Sequence, residues 1–97
     1  MSYHIAPFIN TRREAMMDGA EAGDIYTPSA HGQFEVEADT VMQALEHTFK
    51  ILNIGPAPTD ARERSLSVGD AVVVDGVWYT CEGMGWAEMS PLLPLAA

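Results

Sequence analysis

Two hydrophobic periods divide this chain. Along 40–53, Val41, Ala44, Leu45, Thr48, Phe49 and Leu52 recur at the i, i+3, i+4, i+7 spacing of one helix face. Gln43, Glu46, His47, Lys50 and Asn53 fall on the opposite side, with Glu46 and Lys50 a favourable i,i+4 pair. Asp39 or Thr40 caps the start, Thr40 with Gln43 three residues later, and the NIGPAP run at 53–58 ends it. Leu45 and Phe49 are the expected core anchors. Elsewhere the period is two. Phe34, Val36 and Ala38 point one way, and Glu35 and Glu37 the other. Residues 2–9 alternate Tyr3, Ile5, Pro7 and Ile9 with His4, Ala6 and Phe8; Pro7 lacks a ladder donor and predicts an edge position or an early strand end.

The strongest local signal is a hairpin. The apolar run at 71–74 meets Asp75-Gly76 and a second β-prone run at 77–81, and Asp-Gly suits the two positive-φ residues of a type I′ turn. Gly83 and Gly85 around Met84 mark another turn before a last strand at 86–89. Ser65 to Val68 reads as a candidate strand ahead of Gly69-Asp70, and 24–27 as a short strand in the turn-rich 23–33. Thr11-Arg12-Arg13-Glu14 matches a capping box, predicting a short helix over about 12–18 with Ala15 and Met16 as contacts and Gly19 or Gly23 as stop. A polar linker follows at 59–64. The tail at 90–97 is apolar and broken by Pro91 and Pro94, so Leu92, Leu93 and Leu95 either fold back or meet a partner, a homodimer among the options. The expected architecture is a single small α+β domain over 1–97, a curved, mostly antiparallel sheet of four or five strands with the 40–53 helix on one face.

Charge narrows the choice of partner. The 97 residues hold 14 acids and 5 Lys or Arg, a formal net charge of −9. Seven carboxylates (Glu14, Asp18, Glu21, Asp24, Glu35, Glu37, Asp39) precede Thr40 with no base after Arg13, and none follows Arg64. Nucleic acid would be repelled over most of such a surface, whereas a basic protein would be steered toward it. No apolar run approaches the roughly 20 residues that span a bilayer. The basic pair Arg12-Arg13 follows the first apolar stretch, the wrong order for a secretory leader. With a single cysteine, Cys81, the expected setting is a reducing cytoplasm.

Candidate chemistry is sparse. His4, His31 and His47 lack ligand spacing, and no Cys/His cluster predicts zinc. Cys81 sits beside Glu82, which raises a thiol pKa. Ser65, Ser67 and Asp70 could suggest a phosphate or nucleophile site, but Gly69-Asp70 is an ordinary turn and one glycine makes no phosphate cradle. No catalytic residue, metal or cofactor is expected. Trp78 and Tyr79 are adjacent in a strand, so one faces the core and the other outward, where it can serve as a protein-binding hot spot. Glu35 and Glu37 space negative charge along one strand face, and Asp39 continues the row if the strand runs on. Glu14, Asp18 and Glu21 are the residues that would extend it.

The stretch Arg64-Ser65-Leu66-Ser67-Val68-Gly69-Asp70, followed by the valine run, Asp-Gly, an aromatic pair and Gly-x-Gly-Trp, resembles the C-terminal motif of YodL-like small proteins and related proteins of phages and bacterial mobile elements. The acidic strand feeding a helix of the form Ala44-Leu45-Glu46-x-x-Phe49-x-x-x-Asn53 belongs to the same resemblance, which spans about 33–89. It implies a setting, an accessory gene in a phage, plasmid or bacterial genome, and supplies no catalytic residues. The expectation is a non-enzymatic protein that binds a basic partner, as an inhibitor of a host complex with anti-CRISPR or other anti-defence action. The alternatives are a housekeeping interaction module, a small-molecule-binding domain and a cryptic enzyme.

Overall fold

Nine alternating residues at the N-terminus become the strand around which the sheet is built. The computed structural model describes residues 1–54 and 66–89. The readings at 55–58, 59–64, Ser65 and 90–97 lie outside the described residues. The elements are β1 (Ser2–Asn10), α1 (Ala15–Asp18), β2 (Tyr26–Pro28), β3 (Phe34–Glu37), α2 (Val41–Ile54), β4 (Ala71–Val74), β5 (Val77–Glu82) and β6 (Gly85–Met89). β4, β5 and β6 follow β1 on one side as an antiparallel series. On the other side β1 is shared: β3 pairs with its first half and β2 with its last residues. The result is an α+β fold with one main helix on a six-stranded antiparallel sheet, one strand more than the expected four or five; the short strand expected at 24–27 forms at Tyr26–Pro28.

Pro7 is the first correction, because it lies in the central strand and is buried. A strand residue sends its nitrogen and carbonyl to the same side. The Pro7 carbonyl accepts the Ser29 N–H at 3.0 Å, so its nitrogen faces the break between β2 and β3 rather than a ladder. The missing donor is therefore harmless there. The hairpin forms as expected: Asp75 and Gly76 have φ of 48° and 85°, and Val74 pairs with Val77. Asp75 also explains why an acid occupies the turn, since its carboxylate accepts the His4 N–H at 2.8 Å and its own N–H reaches the His4 carbonyl at 2.9 Å.

Alternation gives the sheet two unlike faces. Tyr3, Ile5, Val36, Val72, Val74 and Tyr79 lie under α2, which contributes Ala44, Leu45 and Leu52. Thr40 caps α2 by accepting the Gln43 N–H at 3.1 Å, while the Gln43 side chain reaches back one residue further, to the Asp39 N–H. Phe49 is only partly buried, at the core margin, where it meets Trp86 edge-on with centroids 6.4 Å apart. Asn53 leaves the expected polar face: its amide clamps Leu66, accepting its N–H at 2.8 Å and donating to its carbonyl at 3.0 Å. The opposite face gathers Ala6, Phe8, Tyr26 and Ala71, with Val73, Trp78 and Met89 against them.

The expected Thr11–Glu14 capping box does not form. The Thr11 hydroxyl donates to the Ile25 carbonyl instead, and Glu14 makes no side-chain cap, so α1 shrinks to one turn ending at Gly19. Ala15 is buried as expected but Met16 is exposed. Residues 66–70 form a turn rather than the start of a strand. Gly69 is required there twice over, by its φ of 91° and because a Cβ would stand 2.5 Å from that of Ala15. Asp70, with no exposed surface, organises the turn: one carboxylate oxygen accepts the Asn10 N–H and the other the Ser67 N–H, each at 2.8 Å. Asp70→Asn would put an amide N–H₂ against one of these backbone donors. We expect a loss of about 2 kcal/mol in urea unfolding, the scale of one buried unsatisfied donor; an unchanged midpoint would remove Asp70 from this role.

Candidate functional site

The outward strands place two of the sequence-predicted groups on one surface, the helix-free face. Glu35 and Glu37 alternate outward from β3, their side chains 62% and 76% exposed. Trp78 comes to the same face from β5 and is half-buried, stacked on Phe8 at 5.0 Å and tilted against Tyr26 at 5.8 Å. Register relates the two groups. Ala6, Val73, Trp78 and Met89 form one row across the sheet, and His4 with Glu35 stands in the row two residues along β1. The aromatic cluster and the β3 carboxylates thus share one face, with β4 and β1 between Trp78 and Glu35. Tyr79 takes the other direction and is buried under α2; burial raises its phenol pKa, and Glu88 adds to the rise. Tyr79 is therefore core, and Trp78 is the outward member of the pair.

The remaining acids do not extend this row. β3 stops at Glu37, so Asp39 belongs to the start of α2 rather than to a third strand position. Glu14, Asp18 and Glu21 follow the far end of β1, which ends roughly 16–26 Å along the strand from β3's partners Ser2–Ile5 at a rise of about 3.3 Å per residue. Asp18 and Glu21 surround Arg12, at 3.9 and 3.8 Å. Arg12 itself grips buried Asp24 through Nε at 2.6 Å and Nη2 at 3.3 Å. Burial pushes the Asp24 carboxyl up, but bonds from Arg12, the Glu21 N–H and Asn10 outweigh it and hold the pKa below its ordinary value. This second acidic group is a structural knot around one cation.

His4 is the titrating group of the candidate surface. Its Nε2 lies 2.7 Å from the Gln33 side-chain oxygen and its Nδ1 3.2 Å from a Glu35 carboxylate oxygen. Gln33 and Glu35 raise its pKa above 6.5 through these bonds, with the charges of Glu35 and Asp75 adding to the rise.

A cleft of about 380 Å³ opens elsewhere, on the helix side, between α2, the 66–68 segment and the β5–β6 turn. Phe49 and Trp86 form its apolar wall, and Glu46, Glu82 and Cys81 also line it. The Cys81 thiol is pushed up to about 11, chiefly by burial and then by the charges of Asp70, Glu46 and Glu82. The sequence did not reveal this cleft, since its walls come from three separated segments and no motif links them. Among the described residues, no three His, Cys, Asp or Glu side chains are placed to hold a metal ion. No family model, curated protein or solved structure matches the chain.

The raised His4 value has a direction. Its bonds to Glu35 and Gln33 contribute stability that is fully present below the unfolded value near 6.5, and that contribution is lost as pH rises through the raised folded value. An NMR titration should find the His4 ring titrating above 6.5, and Glu35→Gln should move its midpoint down. A ring titrating at the free-histidine value in both proteins would contradict the geometry.

Proposed function

We propose that this protein works by binding a protein partner with a basic surface, through the helix-free face of its sheet, and without catalysis. One observation carries the reading: no strand of the sheet contains Lys or Arg, whereas the helix-free face carries exposed Glu35 and Glu37 on β3 and, across β1 and β4, a half-buried Trp78 on β5. A half-buried aromatic with charges of one sign farther out on the same face suits a hot spot with a steering periphery. The chemistry available elsewhere favours binding over reaction. A thiol raised to about 11 yields little thiolate near neutral pH, and an imidazole with an oxygen at each nitrogen is biased toward its protonated form, which cannot accept a further proton.

The resemblance of 33–89 to YodL-like proteins supports a phage or mobile-element setting, within which the partner is a host complex and the action anti-CRISPR or other anti-defence inhibition. Nucleic acid is a poor direct ligand for this face, given its charge. Among the described residues no helix is long and apolar enough to cross a membrane. A cytoplasmic host protein is the partner that fits this reading.

Immobilised protein challenged with bacterial host lysate should retain a basic partner at low salt and release it as the Debye length shrinks from about 10 to about 3 Å. Glu35→Lys with Glu37→Lys should abolish retention, mainly by slowing association, while the domain stays folded because Phe34 and Val36 still face the core and only exposed surface pairs with His4 and the N-terminus are lost. Equal retention by the double variant, or indifference to salt, would sink this reading.

A further inference from the structure

α2 lies across β1, β3 and β4, and among the described residues no helix covers the β5–β6 end of the sheet on that side. The Phe49–Trp86 cleft occupies that gap. It does not end at the β5–β6 turn. Val68, Glu82 and Gly83 also line a shallower depression of about 310 Å³ that runs on to Met16, Met17 and Asp18 of α1. The two depressions share those three residues and so adjoin across them as one grooved stretch of surface. Each has a volume within the range of about 300–1,000 Å³ typical of occupied sites.

The groove's chemistry is asymmetric. Its deep end is aromatic, with Trp86 and Phe49 presenting an edge-on pair rather than a filled core. Its shallow end is edged by methionines, Met16 about half exposed and Met17 at 90%. Methionine's flexible, polarizable side chain adapts to varied apolar surfaces and recurs where a groove accepts segments of another polypeptide. Every charged lining residue is acidic: Glu46 at the deep end, Glu82 in the middle and Asp18 at the shallow end. Asp18 has Arg12 as a neighbour at 3.9 Å, whereas no salt bridge to Glu46 or Glu82 occurs among the described residues.

We infer that this groove is a docking site for a basic amphipathic segment of a partner polypeptide, with an apolar side chain seated against Phe49 and Trp86 and a Lys or Arg beside Glu46 and Glu82. Charge decides the occupant. A neutral apolar segment would leave both carboxylates partly desolvated and unpaired, and an acidic one would be repelled. A cation seated over the Trp86 ring would add a contact that a neutral group cannot make. This site lies on the helix side of the sheet and stands independently of the helix-free face, sharing with it only the basic character of the partner.

The probe is a synthetic amphipathic peptide built of leucine and lysine, titrated into the full chain and followed by backbone amide NMR. The expected shifts cluster at Phe49, Val68, Glu82 and Trp86. Replacing the peptide's lysines with glutamate, or its leucines with serine, should weaken binding by about tenfold or more, since each removes one of the two complementarities. Glu46→Lys with Glu82→Lys should do the same; both side chains are exposed, so this variant keeps the fold when Trp86→Ala does not. Equal binding of the serine peptide would show adhesion by charge alone and overturn the proposal. So would shifts centred on Glu35 and Glu37, with loss in Glu35→Lys/Glu37→Lys and none in Glu46→Lys/Glu82→Lys, an outcome that leaves the helix-free face intact as a site. Concentration-dependent shifts at the groove without peptide would assign it to a second copy of the chain and overturn it as well.

Discussion

A single buried carboxylate locks the turn before β4 to the end of β1, where the ladder between the two strands stops. Asp70 accepts backbone donors from β1 and from its own turn, while its carbonyl accepts the Cys81 N–H at 2.9 Å and the Thr80 hydroxyl at 3.3 Å. Asn10, fixed by that bond, passes the constraint on through its amide, which donates to Asp24 at 2.8 Å and to the Gly69 carbonyl at 3.0 Å. Asp24 in turn fixes Arg12, and Arg12 reaches the Gly19 carbonyl at 2.7 Å at the end of α1. A buried charge is tolerated only when its oxygens are satisfied, and here the satisfaction is supplied by parts of the chain about sixty residues apart. The order of the 11–25 loop therefore depends on the 66–70 turn, and the floor of the groove depends on both.

This dependence separates what the sequence could reveal from what it could not. α2 and the Asp75-Gly76 hairpin were legible because their signals are local: a 3.6-residue apolar period in one case, a two-residue turn requirement in the other. Glu35 and Glu37 were legible as outward groups for the same reason, the strict alternation of a half-buried strand. The failures share the opposite property. Thr11 had a satisfactory local partner in Glu14 and took a distant one, Ile25. Asn53 fell on the polar side of a helical wheel and turned to hold Leu66. Pro7 was judged by its missing donor alone, and its place in the centre became intelligible only once two short strands were seen to share one flank of β1.

The candidate surfaces divide along the same line. Adjacent Trp78 and Tyr79 had to face opposite ways, but which one faced outward depended on where α2 settled. The acidic N-terminal third reads as one block of charge, yet β1 separates it into a solvent-facing pair beside β3 and a set folded around Arg12. Net charge said that a basic partner would be attracted; only the fold shows that Glu35 and Glu37 stay largely solvent-exposed, in surface pairs with His4 and the N-terminal amino group. The groove is the extreme case, with aromatic, acidic and methionine contributions drawn from α1, α2 and the β5–β6 hairpin.

The shared flank of β1 has a consequence for behaviour in a crowded cell. A long, flat outer strand is a template on which other chains can stack, with fibrils as the end point. This sheet presents on that flank two strands of three and four residues, interrupted opposite Pro7 and closed at one end by Pro28. Neither is long enough to nucleate a regular ladder, and the glutamates of β3 would repel an identical copy laid beside them. The break opposite the central proline thus keeps this flank of the sheet from serving as a template for a second copy.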